Sequence, residues 1–190
     1  MRRRLLAGAL LAGLVVGCTS RGDDGAAPER RITELPQPGP ELSPELMLGL
    51  ALARNYHHKA DVFLKEARVD QAVAAVQQIL TIQFPAGSAE GEDVQQDARA
   101  RLAKLLVTRG QVDQAMTVVD EGIARAGRQS FFLANLHTVR GEVLEARAAQ
   151  VEDRDKAAAT LARRQAIEAY DRAIAIEKAL VDQLAGGDVE

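Results

Sequence analysis

The sequence contains very few aromatic residues and a single cysteine. Aromatic side chains make up 3% of the 190 residues, and tryptophan is absent. Strands favour aromatic and β-branched residues at alternating positions, and no such run stands out. The apolar content therefore comes mainly from Ala, Leu, Val and Ile, which together with many Glu, Arg and Gln residues predicts an all-α fold. Because Cys18 is the only cysteine, no disulfide can form within the chain.

The sequence also lacks the charge and the motifs of several functional classes. Without residues 1–17 the chain carries 21 basic and 27 acidic side chains, a net charge of −6. This balance argues against nucleic-acid binding. We find no serine in a nucleophile-elbow context, no phosphate-binding glycine loop and no paired acids in an apolar setting. We therefore expect no catalytic residues and no cofactor.

The first 17 residues have the three parts of a secretion signal in order. Arg2, Arg3 and Arg4 are followed by an apolar run of 12 residues from Leu5 to Val16, and then by Gly17 and Cys18. A membrane-spanning helix needs about 20 apolar residues, so this run is too short for one. The segment resembles the lipobox of bacterial lipoproteins. That resemblance implies cleavage before Cys18 and lipid on its thiol, and Thr19 in the next position favours the outer membrane.

Residues 18–42 comprise the cysteine and a stretch rich in Gly, Pro, Asp and Glu without apolar periodicity. This composition predicts a flexible, partly extended tether. Ser43-Pro44-Glu45 then predicts a helix start, with serine as N-cap and proline in the first turn. We expect residues 43–190 to form one helical domain.

Apolar spacing predicts six helices in this domain. The first runs from Ser43 to about Ala67, and a second, capped by Asp70, runs to about Gln83. After a loop at 84–92, a third runs from about Asp93 to Arg109, and a fourth, capped by Asp113, ends at Gly127. A fifth is capped by Ser130, and a long last helix covers about Lys156 to Leu184. Glu142, Glu145 and Arg147 of the fifth helix look like a solvated face with ion pairs one turn apart.

An internal repeat links these helices. Val69-Asp70-Gln71-Ala72 recurs 43 residues later as Val112-Asp113-Gln114-Ala115. Small residues stand at matching places in the first helices (Ala60, Ala103 and Gly141) and in the second helices (Ala72, Ala115 and Ala166). These positions resemble those of the tetratricopeptide repeat family, although the period of 43 exceeds the family's 34 and no repeat has its tryptophan. The resemblance implies an α-solenoid of about three stacked antiparallel hairpins, ending in the long last helix.

On the family template, the first helix of each hairpin lines a concave groove that takes a peptide or helix of a partner. The groove positions are held by seven residues: Arg54, His57, Asp61, Asp97, Lys104, Thr138 and Glu142. His57 and Asp61, one turn apart, are better candidates for partner contact than for a metal site, because two ligands hold a metal poorly. His137 is expected to have a packing or capping role.

We therefore expect a lipid-anchored scaffold or assembly factor of the bacterial envelope, similar in plan to pilotins and other envelope-assembly lipoproteins. Its partners would be envelope proteins and, through the lipid, the membrane, but no nucleic acid. A structural subunit of an envelope complex, with self-association through the last helix, is an alternative. A small enzyme or metal-binding protein using His57, His58 and Asp61 is the remaining one.

Overall fold

The computed structural model describes residues 43–186, and all regular structure in that range is helical. The six helices are α1 (Pro44–Lys65), α2 (Val69–Ile79), α3 (Ala89–Thr108), α4 (Val112–Ala124), α5 (Phe131–Val151) and α6 (Lys156–Gly186). The prediction of an all-α fold is confirmed. The predicted signal peptide, Cys18 and the tether lie outside the described residues.

Each helix packs mainly against its neighbour in the chain, so the helices form three pairs: α1 with α2, α3 with α4, and α5 with α6. Each pair then packs on the next, because α3 contacts both α1 and α2, and α5 contacts both α3 and α4. No packing of helix on helix joins the first and third pairs within residues 43–186. The described pairs therefore follow one another in a line.

Small residues permit the close approach within each pair. Ala60, Ala72, Ala103 and Ala115 are completely buried, and Gly141 is buried against the ring of Tyr170. The larger side chains fill the space between the pairs, among them Ile79, Leu136, Val139 and Leu144, which are at most 2% exposed. One continuous core thus runs from α1 to α6.

The helix starts confirm two predicted caps and correct two others. The hydroxyls of Ser43 and Ser130 accept hydrogen bonds from the backbone N–H groups of Leu46 and Leu133, at 3.2 and 3.0 Å. The prediction that Asp70 and Asp113 cap α2 and α4 is wrong. Both acids lie inside their helices, and each binds an arginine of the following pair instead.

Three helix boundaries also differ from the prediction. α3 begins at Ala89 rather than at about Asp93, because the Ser88 hydroxyl accepts a hydrogen bond from the N–H of Gly91 at 2.9 Å. α2 ends at Ile79 rather than at Gln83, and α4 ends at Ala124 rather than at Gly127. In both helices the last carbonyls are satisfied by tighter three-residue turns, such as Ala126 N to Ile123 O at 3.3 Å.

Candidate functional site

The first helices of the three pairs share one surface, since α3 packs between α1 and α5. A depression of about 290 Å³ opens on this surface. Its lining combines apolar and charged side chains from all three helices: Leu50, Ala53, Arg54, His57, His58, Asp61, Val94, Asp97 and Phe132. Four of the seven predicted groove residues, Arg54, His57, Asp61 and Asp97, therefore lie around one depression.

Arg101 connects the charged residues of the depression. Its guanidinium lies 3.1 Å from Nδ1 of His57 and also donates to the Asp61 carboxylate. On the other side of the ring, Nε2 of His57 lies 3.5 Å from Oδ2 of Asp97. Arginine can only donate, so Nδ1 of His57 is the acceptor and the ring proton is on Nε2, facing Asp97. The network thus holds a neutral His57 in one orientation between α1 and α3.

The surroundings of His57 also favour its neutral form. Burial, the largest effect, lowers the pKa of His57 below its usual value of 6.5, and the charge of Arg101 lowers it further. Asp97 and Asp61 act in the opposite direction without reversing the shift. His57 is therefore uncharged at neutral pH.

The remaining predicted groove residues lie further along the surface. Nζ of Lys104 donates to Oε1 of Glu142 at 3.2 Å, which links α3 to α5. The hydroxyl of Thr138 donates to the Ala134 carbonyl of its own helix at 3.3 Å. Hydrogen bonds therefore bring Lys104 and Glu142 together, whereas Thr138 joins neither this pair nor the His57 network.

The ion pairs on α5 correct another sequence prediction. Glu142 binds α3, Arg147 binds Asp113 of α4, and Glu145 accepts a hydrogen bond from the Tyr170 hydroxyl of α6. The predicted ion pairs between residues one turn apart within α5 are wrong, because these side chains bind groups of the neighbouring helices instead. Burial and Glu145 together raise the pKa of Tyr170 to about 12. The charges of α5 therefore connect the helices.

Sequence reasoning missed Arg101, the apolar residues Leu50 and Val94, and Phe132. Arg101 follows Asp97 by one turn on the groove side of α3, a spacing that could have indicated it. Phe132 keeps 38% of its surface exposed at the edge of the depression, two residues after the buried cap residue Ser130. An exposed phenylalanine beside charged residues is typical of a binding surface.

Arg54 is the one cation of the depression without a carboxylate partner among the described residues. Arg54 is exposed, whereas the guanidinium of Arg101 forms a salt bridge with Asp61. The depression can therefore offer an acidic group one free guanidinium, next to the apolar surface of Leu50, Val94 and Phe132. His57 and Asp61 do not extend to a metal site, since residues 43–186 contain no group of three or more His, Cys, Asp or Glu side chains able to hold an ion.

No protein-family model, no curated protein and no solved structure matches this chain. Of the helices in the described range, none has the length and apolar content needed to cross a membrane.

Proposed function

We propose that this chain is a lipid-anchored scaffold of the bacterial envelope, and that it binds a segment of a partner protein in the groove formed by α1, α3 and α5. One observation carries the proposal. The depression places the exposed ring of Phe132 next to Arg54, whose charge has no partner among the described residues. Apolar anchors beside a free cation suit a protein segment that carries a bulky apolar residue and a neighbouring acid.

The resemblance to tetratricopeptide repeats supports the same function. The small residues that define the resemblance, such as Ala60 with Ala72 and Ala103 with Ala115, are buried where the helices of a pair meet. In a solenoid of this kind each pair covers only its neighbours, and the first helices line a concave binding surface. The groove residues of α1, α3 and α5 are the ones that would line it.

The photoreactive residue benzoylphenylalanine tests the groove directly. We would introduce it at Arg54 or Phe132 in the full chain and irradiate whole cells. We expect both positions to form a covalent adduct of one defined mass, because both side chains border the depression. Gln114, an exposed residue of α4 outside the depression, is the matched control and should form none. Equal labelling at Gln114, or no adduct at either groove position, would contradict the proposal.

The anchor is tested separately. The arginines before the apolar run, the run itself and Cys18 support lipid attachment in the envelope. We expect labelled palmitate to be incorporated into the full chain and the protein to sediment with membranes. Cys18→Ala should lose both properties, whereas Thr19→Ala should keep them. Palmitate incorporation into the Cys18→Ala variant would overturn the assignment of the anchor.

A further inference from the structure

The helix pairs are joined by an ion pair at equivalent positions of both junctions. At the second junction, Arg147 and Arg140 of α5 bind Asp113 and Asp120 of α4, at 2.5 and 2.8 Å. At the first junction, Arg109 of α3 binds Asp70 of α2 at 3.0 Å. Asp70 and Asp113 are equivalent by the 43-residue repeat, and Arg109 and Arg147 are equivalent by the matching of Ala103 to Gly141. One ion pair therefore recurs where a second helix packs on the next first helix, whereas Gln77 and Leu102 stand at the first junction in place of Asp120 and Arg140.

We call the face with which the second helix of a pair contacts the next pair the forward stripe. The face of the following first helix that it contacts is the backward stripe. In α4 the forward stripe is Asp113, Met116, Asp120 and Ile123. In α5 the backward stripe is Leu136, Arg140, Val143 and Arg147. The two helices run in opposite directions, so Asp113 faces Arg147 and Asp120 faces Arg140, which brings Met116 level with Val143 between them. Met116 is 8% exposed and Val143 is completely buried.

The same two stripes recur at the ends of the stack, where no described helix packs on them. Matching Ala115 to Ala166 places the forward stripe of α6 at Arg164, Ile167, Asp171 and Ile174. Matching Ala103 to Ala60 places the backward stripe of α1 at Asn55, Lys59, Val62 and Glu66. Ile167 is 60% exposed where its equivalent Met116 is buried, and Val62 is 52% exposed where Val143 is buried. Ile167 and Val62 are therefore exposed apolar side chains at positions that are buried in the junction between α4 and α5.

The charges of the two end stripes are complementary in this register. The pair Asp113–Arg147 corresponds to Arg164 and Glu66, which are again of opposite sign, although Glu66 also binds Arg68 of its own chain at 2.7 Å. The pair Asp120–Arg140 corresponds to Asp171 and Lys59, in which the acid again lies on the second helix and the base on the first. Met116 and Val143, which lie level with each other in the hydrophobic core, correspond to Ile167 and Val62.

The match also extends beyond the four positions of each stripe. Two further steps along the register bring Val181 of α6 level with Leu48 of α1, and they are 54% and 62% exposed. Two positions are mismatched: Ile174 falls level with the polar Asn55, and Lys178 falls level with the apolar Leu52. At the other four compared positions, the two end stripes place apolar side chains opposite apolar ones and charges opposite charges of the other sign.

We propose that copies of this chain join head to tail, with α1 of one copy packing on α6 of the next as α5 packs on α4. The two contacting surfaces differ, so every assembly keeps one free α1 surface and one free α6 surface and grows by single copies. The surface is separate from the groove, so the inference does not rest on the proposed function. It would set scaffolds of this kind in a row, each with its own groove.

Blocking the two ends separately gives a decisive test. Ile167→Asp disables the α6 stripe and Val62→Asp disables the α1 stripe, each in the full chain in detergent solution. We expect the mass of the unmodified chain to rise with concentration in sedimentation experiments, by whole copies and beyond a dimer. Each variant alone should stay a monomer. An equimolar mixture of the two should form a dimer and stop there, because only one intact junction remains.

Two further variants serve as controls in the sedimentation experiments. Leu161→Asp on α6 and Met47→Asp on α1 change equally exposed apolar residues outside the stripes and should associate like the unmodified chain. A monomer at every concentration for the unmodified chain would overturn the proposal. So would a Val62→Asp variant that dimerises alone, since that indicates pairing of α6 with α6. Asp171→Lys should weaken association, and combining it with Lys59→Asp should restore it, which checks the register through charges alone.

Discussion

Ala67 and Gly110 occupy equivalent positions in the turn between α1 and α2 and the turn between α3 and α4. Both have a positive φ, of 58° and 74°. In each turn the next N–H reaches back to the helix, from Arg68 to the Phe63 carbonyl at 2.8 Å and from Gln111 to that of Leu106 at 2.9 Å. This geometry needs a left-handed residue after the helix, the conformation in which glycine alone is unstrained. The first turn therefore carries a strain that the second avoids.

This difference predicts substitutions of opposite effect. Ala67→Gly should raise the free energy of unfolding by about 0.5–1 kcal/mol, because the relief of strain exceeds the extra entropy that glycine loses on folding. Gly110→Ala should lower it by about 1 kcal/mol. Urea unfolding followed by circular dichroism measures both. Changes of the same sign in the two variants would show that the turns are not equivalent.

His57 predicts a loss of stability in mild acid. Its pKa in the folded chain is below 6.5, whereas the unfolded chain has the ordinary value. Below pH 6.5 the unfolded state therefore takes up a proton that the folded state does not, which favours unfolding. The contribution of neutral His57 is complete above pH 6.5, falls as the pH decreases, and is lost once the pH passes the folded pKa.

The free energy of unfolding should accordingly decrease with falling pH over this window. His57→Gln should make the decrease shallower, and His58→Gln, at an exposed neighbouring position, is the control. His137 adds a decrease of the same sign, because burial, the largest effect, and then Arg172 and Arg140 lower its pKa too. Identical pH profiles for the unmodified chain and His57→Gln would contradict the assignment.

At the scale of elements, the contact between α5 and α6 depends on one glycine. A Cβ added to Gly141 would lie 2.6 Å from Cζ of Tyr170, far inside a normal contact. Gly141→Ala should therefore lower the free energy of unfolding by about 1–3 kcal/mol through overpacking, less the helix propensity that alanine gains. Thermal unfolding of the variant measures this loss.

Gly122 is the matched comparison, because it is also a buried helical glycine. A Cβ there would lie 3.0 Å from Cδ of Arg99 and Cδ1 of Leu136, which is farther than the Tyr170 ring lies from Gly141, so Gly122→Ala should cost less. Combining Gly141→Ala with Tyr170→Leu should cost less than the two changes added together. Strict additivity would indicate that the ring does not limit the approach of the helices.

The number and order of the helices could be read from the sequence because apolar spacing reports which face is buried. The start of α3 could not, since Pro85, Gly87 and Gly91 gave the segment the composition of a loop. The structure tolerates Gly91 in the helix because the side chain of Phe84 packs on it, with Cγ 2.7 Å from the position of an added Cβ. The acids at 70 and 113 were misassigned because a cap and an ion pair to a distant helix have the same local sequence.

The residues of the candidate groove were also predicted only in part. The resemblance to the repeat family implied that Arg54, His57 and Asp61 are groove residues, and the structure places all three at the depression. Arg101 and Phe132 were missed because their relation to these residues depends on how α3 and α5 pack. A repeat predicts equivalent positions, but the side chain that bridges two repeats depends on its own length and charge.

At the scale of the whole molecule, stability should vary along the row of helix pairs. α3 is the one described helix that packs against four others, whereas the first and third pairs each rest on one neighbour. In α6 no residue after Ile176 is buried. Because local opening costs less where fewer apolar contacts are lost, the stack should open from its ends rather than all at once.

Hydrogen exchange measured by mass spectrometry tests this expectation on the full chain. Amides of α3 and α4 should exchange most slowly, those of α1 and α2 faster, and those of residues 177–186 fastest among the described helices. Val76→Ala in α2, which empties a completely buried position, should speed exchange in α1 and α2 far more than in α6. Val119→Ala in α4 is its repeat equivalent, and it should speed exchange in all six helices because both outer pairs depend on the middle one. Uniform acceleration by Val76→Ala would instead mean that the three pairs unfold as one cooperative unit.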